Sequence, residues 1–175
     1  MASSLLSVKP DPTEHAPYYA RYVDLVPTGD ILALLESQIT ETAEMLSGLS
    51  DKEADFRYAE GKWSIKQIVG HLADTERVFG YRALRFARAD TTPLPGFEQD
   101  DFVRAAGFDR RTLIDLLAEF EAVRLGSVRL FRSLDDEALA RRGTASGCEF
   151  RVRAIPFIVA GHERHHVGVI AQRYL

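Results

Sequence analysis

From Ile65 to about Ala89 the chain carries no proline, and Ile65, Ile68, Leu72, Phe79 and Phe86 recur at helical spacing. Ser64-Ile65-Lys66-Gln67 forms a capping box at its start. At 1.5 Å per residue the spacing predicts one helix roughly 35 Å long. A rod of that length with a single apolar stripe must bury the stripe against partners of similar length.

Three further segments supply such partners. Asp30 is placed as an N-cap for a helix with Ile31, Leu34, Leu35, Gln38, Ile39, Thr42 and Leu46 on its inner face, ending at Gly48. Asp109 is expected to cap a third helix with Leu113, Leu116, Leu117, Phe120, Val123 and Leu130 as core positions. A fourth runs from about Arg153 to Tyr174, with Pro156 in its first turn, where a missing N–H costs nothing. Shorter helical pieces are expected at the Ser50–Glu53 capping box, from Glu98 to Ala106 and between Ser133 and Arg142. Gly143 to Arg153, with two glycines and alternating Phe150-Arg151-Val152, reads as a loop or short strand. The expected fold class is all-α, a four-helix bundle with short accessory helices over residues 30–175. The first 27 residues hold four prolines, so residues 1–29 are expected to form an extended N-terminal arm.

Bulk composition removes several function classes. At 175 residues, 46% hydrophobic and 27% charged, the chain is an ordinary globular sequence. A net charge of −4 and no basic run argue against nucleic-acid binding. One cysteine, Cys148, excludes an internal disulfide framework. The longest apolar stretch, near Ala154 to Ala160, is far below the ~20 residues of a membrane span, and the N-terminus lacks signal-peptide features. No membrane association and a cytoplasmic location are the expectations.

Three of the five histidines, His162, His165 and His166, lie within five residues of the fourth helix. Residues four apart differ by about 40° around a helix, so His162 and His166 share a face with Ile155, Ile158, Val159, Val169 and Ile170. His165 is placed at the rim, and His15 and His165 are read as ordinary hydrogen-bonded or surface residues. Two imidazoles on one inward face can reach one ion, and imidazole suits zinc, nickel, iron and copper. Two ligands fall short of the three or four that zinc requires. His71, beside the stripe of the second helix, completes a three-histidine face if the second and fourth helices are neighbours. Positions left over would take water or substrate, as in a catalytic site.

His162-Glu163-Arg164-His165-His166 also matches H-E-x-x-H, the zinc-protease motif. Common members take a third ligand beyond the motif helix, yet the nine residues after His166 contain no His, Asp or Glu. A protease is therefore disfavoured, and Glu163 is read first as a solvated helix residue, with a place on a cleft wall as the alternative.

The stretch Trp63-Ser64-Ile65-Lys66-Gln67-Ile68-Val69-Gly70-His71-Leu72-Ala73-Asp74-Thr75-Glu76-Arg77 resembles the second-helix signature of the DinB superfamily. Gly161-His162-Glu163-Arg164-His165-His166-Val167 resembles its last-helix signature, and Leu94-Pro95-Gly96-Phe97-Glu98-Gln99-Asp100 its loop between helices two and three. The resemblance extends from about Asp30 onward. It implies a bundle in up-down-down-up order, a metal site at His71, His162 and His166, zinc or nickel as the ion, and a homodimer. Characterised members include thiol-dependent S-transferases and a mycothiol-dependent isomerase. The YfiT-like branch, which this chain most resembles, is labelled only as metal-dependent hydrolases.

Two enzymatic expectations follow. One is hydrolysis of a small-molecule substrate by metal-activated water. The other is S-transfer from a low-molecular-weight thiol deprotonated by the ion. A non-catalytic metal-binding bundle is the third reading. No catalytic side chain is assigned, and Cys148 is not needed as a nucleophile. Asp74, one turn after His71, is a candidate to orient an imidazole. Glu163, Arg82 and Arg173 are candidate supporting or substrate-contacting residues, the arginines for a carboxylate.

Overall fold

The computed structural model describes residues 3–175. Four long helices carry it: α1 (Ile31–Leu46), α2 (Ile65–Ala87), α3 (Leu113–Arg132) and α4 (Ile155–Arg173). The Asp30 carboxylate accepts the backbone N–H groups of Leu32 and Ala33, which fixes the start of α1. Ser64 and Gln67 exchange hydrogen bonds with each other's backbone at the start of α2. Helix α2 stops at Ala87, two residues short of the expected end, where the chain turns out and Ala89 takes a left-handed φ of 59°.

Helix α3 starts later than the spacing suggested. Thr112, and not Asp109, is its N-cap. The Asp109 carboxylate is already taken by Ser64, Gln67 and Arg57, so it ties the start of α2 to the turn before α3 instead of capping.

Each of α1 and α2 packs against both α3 and α4. The side-chain pairs give the directions. Gln67 meets Asp109 just before α3, Glu76 meets Arg124 and Gly80 lies beside Ser127, so the two helices rise together and α2 and α3 are parallel. Gln38 reaches the Ala160 carbonyl and Thr42 reaches Glu163, so α1 and α4 are parallel. The Tyr174 hydroxyl donates to the Trp63 carbonyl while His71 meets His162, so α2 and α4 are antiparallel. The order is up-down-down-up.

The core has two apolar layers. Leu35, Phe79, Phe86, Phe131 and Phe157 belong to one, and Ile39, Leu72, Leu116, Phe120 and Ile170 to the other. Every long helix places a buried polar residue between them: Gln38, Glu76, Arg124 and Glu163. The Arg124 guanidinium contacts Glu76 at 2.9 Å and Glu163 at 2.8 Å and donates to the Leu35 carbonyl. Thr42 donates to the other Glu163 oxygen at 2.7 Å. One ionic seam thus links all four helices.

Two additions shape one side of the bundle. Strands β1 (Arg142–Ala145) and β2 (Cys148–Arg151) form an antiparallel hairpin. Its two-residue turn, Ser146-Gly147, has positive φ at both positions, the twist that tight hairpins require. Leu94 exchanges backbone hydrogen bonds with Thr144 and Ser146, which pins the loop after α2 to the hairpin.

The N-terminal arm forms short helical turns, including Pro17–Tyr19 and Ala20–Val23, and buries Leu6, Tyr22, Val23 and Val26 in the first apolar layer. Arg151 and Arg153 hold the buried Glu14 carboxylate at 2.9 and 2.6 Å. The arm backbone lies so close to α4 that a Cβ on Gly161 would sit 2.0 Å from the Tyr22 carbonyl oxygen.

Candidate metal centre

The antiparallel contact of α2 and α4 brings His71, His162 and His166 together. His162 Nε2 lies 3.1 Å from His71 Nε2 and 3.1 Å from His166 Nε2. The ligating nitrogens of all three fall within 4.8 Å of one another. A neutral imidazole nitrogen carries either one hydrogen or one in-plane lone pair, so His162 Nε2 cannot satisfy both neighbours by hydrogen bonding. Nitrogens on a tetrahedral ion with bonds of ~2.05 Å stand roughly 3.3 Å apart. The separations and the all-imidazole donor set therefore fit a divalent transition metal.

Burial prepares the rings for that role. His71 and His162 are buried and His166 is half-buried. Loss of solvation pushes His71 down to about 4 and His166 down to about 3. It also holds His162 well below the usual histidine value, with the neighbouring imidazoles adding to the effect. All three are neutral near pH 7, the form that binds metal. The Thr75 hydroxyl is 3.3 Å from His71 Nδ1, one helical turn away. Trp63, just before α2, packs on His71 at 4.7 Å between ring centres and stacks on His166 at 6.2 Å. The Tyr22 ring meets His162 edge-on at 5.3 Å.

The cluster is reached from two sides. A cavity of about 270 Å³ exposes His71 and His162, with Tyr19, Tyr22, Phe79 and Phe97 among its walls. A second, of about 340 Å³, exposes His166 beside Trp63, Tyr58 and Tyr174. Behind the rings, Glu76, Arg124 and Glu163 fill the space with no room for water.

The other candidates fall in different places. Asp74 pairs with Arg77 at 3.2 Å and faces α3, while Thr75 holds the position beside His71 that Asp74 was expected to take. A residue one turn on, but rotated by ~300°, points off the His71 face, whereas four residues bring Thr75 back to it. Glu163 is buried, not solvated; its carboxylate is bound by Arg124 and Thr42 and turns away from the rings. Arg82 lines the first cavity. Arg173 is exposed in the last turn of α4 and lines neither cavity. His165 is exposed at the rim near Tyr22, and buried His15 contacts the Ala16 carbonyl. Cys148 is half-buried in β2.

Residues missed by the sequence reading are Thr75, the arm tyrosines and the Glu76–Arg124 pair. For the last a signal existed: Arg124 sits four residues after Phe120 on the apolar face of α3, and Glu76 four after Leu72 on α2. A charge on each of two buried faces calls for a partner. The tyrosines offered none, because nothing local says where an arm will dock.

A family model described as the DinB superfamily matches residues 34–170. A protein of Oceanobacillus iheyensis named "Putative metal-dependent hydrolase" is 29% identical over 143 residues, covering 79% of this chain and 80% of the relative. One of Bacillus licheniformis with the same designation is 31% identical over 129 residues, covering 70% of each chain. The solved structure of YfiT from Bacillus subtilis, described as a probable metal-dependent hydrolase with an unusual four-helix bundle topology, superposes with a TM-score of 0.74. It is 17% identical in sequence, and the match covers 97% of this chain and 95% of that one.

Proposed function

As the chain belongs to the DinB superfamily, we propose that it is a metal-dependent hydrolase of a small molecule, with one divalent ion, zinc or nickel, held by His71, His162 and His166. The convergence of three neutral imidazoles between two cavities is the observation that carries this reading. The names borne by the Oceanobacillus and Bacillus relatives agree with it. An ion held by these three histidines would supply Lewis acidity and would activate water for attack near neutral pH.

The protein's own residues do the rest. Burial keeps the rings unprotonated without a partner acid. Trp63 and Thr75 hold His71 from two sides, which restricts the ring orientation. The packed Glu76–Arg124–Glu163 layer closes the site from behind, so reactants arrive through the cavities alone. The aromatic walls of the first cavity displace water from most of the substrate surface.

Elemental analysis and turnover of an ester and amide panel by zinc- and nickel-loaded protein test this. One ion per chain and activity lost in His162→Ala are expected; full turnover by that variant would place catalysis elsewhere.

The second reading is thiol-dependent S-transfer. It draws on the two openings, since His71 and His162 face one cavity and His166 the other, giving two reactants separate routes to one ion. Turnover of an electrophile that requires added thiol, with no ester or amide cleavage, would select it. A homodimer is part of the proposal, and light scattering of the purified protein measures it.

A further inference from the structure

Arginine occurs twice in the interior beside the centre, in contrasting surroundings. Arg124 is paired with two carboxylates. Arg82 is equally buried, at 2% exposure, yet has no carboxylate within ion-pair distance among the described residues. One terminal nitrogen donates to the Pro95 carbonyl at 3.2 Å and to Ser146 Oγ at 2.8 Å, both neutral acceptors. The Tyr19 phenol lies beside it, also neutral, its own ionisation raised by burial. A buried guanidinium without a counter-charge is costly and is normally paired.

That side chain is also part of the wall of the cavity that His71 and His162 line. Its backbone is roughly 16 Å from His71 along α2 at 1.5 Å per residue. The guanidinium packs 5.3 Å from the centre of the Phe79 ring, which lies one turn nearer the histidines. Four separate parts of the chain fix it: α2, the loop at Pro95, the hairpin turn at Ser146 and the arm at Tyr19. A tie between loop and hairpin needs only a neutral donor, whereas a fixed cation in a cavity wall, with the wall's one carboxylate, Glu98, outside ion-pair distance, is what an anionic ligand requires.

We infer that Arg82 is the substrate-anchoring residue of this cavity and that the substrate class is a monocarboxylate, its carboxylate on Arg82 and its reactive group several bonds away at the histidine cluster. The inference deepens the proposed function and rests on it for the reactive end alone. One guanidinium offers one charge and a planar fork, which matches a carboxylate and leaves half the charge of a phosphate dianion unmatched.

Hexanoate, hexanamide and hexyl phosphate serve as probes, titrated by calorimetry and ligand-observed NMR into both metal-free and zinc-loaded protein. Metal-free protein removes the ion as a rival carboxylate site. Hexanoate is expected to bind metal-free wild type about tenfold more tightly than hexanamide, and Arg82→Gln to erase that preference. Arg82→Lys should retain part of it, because the charge stays and the fork goes. Ser146→Ala, which frees the guanidinium without removing it, should weaken hexanoate while leaving the order of the probes unchanged. No hexanoate binding, equal binding of the amide, an unchanged preference in Arg82→Gln, or tighter binding of hexyl phosphate would each overturn the inference. Zinc stoichiometry measured on the same Arg82→Gln sample should equal wild type. If zinc fails to bind wild type, the metal reading falls, while the carboxylate preference of the metal-free protein is judged on its own.

Discussion

His162 Nε2 stands 3.1 Å from His71 Nε2 although 91 residues separate them in the chain. The contact exists because α2 and α4 run antiparallel and place both rings at one level. A test of that contact is metal-dependent stability. Wild type with zinc at a hundred times its dissociation constant should gain about 2.7 kcal/mol by mass action. His162→Ala, with one of three ligands removed, should show no zinc-dependent rise in melting temperature. An equal rise in the variant would mean that zinc binds elsewhere.

The ionic seam predicts an asymmetry. Arg124→Met leaves Glu76 and Glu163 buried without their partner and should destabilise the fold by roughly 3–5 kcal/mol. Adding Glu76→Gln and Glu163→Gln should recover much of the loss, since neutral amides cost less to bury. Urea denaturation of the single and triple variants measures both values. A single variant within 1 kcal/mol of wild type, well under the penalty expected for a stranded charge, would show that the seam is hydrated.

Gly161→Ala puts a methyl group where the Tyr22 carbonyl lies, 2.0 Å from the new Cβ. The arm must move off α4, at a cost of roughly 1–3 kcal/mol for overpacking. Tyr22 would then leave the cavity wall beside His162. Limited proteolysis should cut the arm faster in the variant than in wild type, and an unchanged cleavage rate would contradict the close docking.

Acid should act on the loop after α2. Hydrogen bonds from Arg85 and Thr92 hold the Asp90 carboxyl down to about 2. In the unfolded chain the same group has an ordinary value near 3.8, so between these limits the unfolded state binds more protons and stability rises with pH. The contribution is fully present above about pH 3.8 and is lost as pH falls through about 2. Melting curves of wild type and Asp90→Asn should converge across that window, and a constant difference down to pH 2 would remove Asp90 from the account.

The α-helical rods were readable because each carries its own evidence. Asp30 and Ser64 mark two starts, and the apolar spacing of Ile65, Ile68 and Leu72 marks a face. His162 and His166 could be paired from sequence for the same reason, since four residues on one helix fix an angle. Asp109 was misread as a cap because its carboxylate had a choice between a local N–H and side chains far away in sequence, and the distant ones won. Glu163 was misread as solvated because its helix face was judged without knowing that Arg124 would stand opposite.

Sequence alone thus determined the helices, their inward faces and the residue types able to hold a transition metal, all of which depend on spacings of a few residues. Tertiary structure decided which faces meet. It set His71 against His162, gave Arg124 its two carboxylates, left Arg82 with none in ion-pair distance among the described residues and laid Tyr22 on Gly161. Those outcomes depend on how separate rods share one limited interior, where burial makes each unpaired charge costly, and no local spacing encodes that competition.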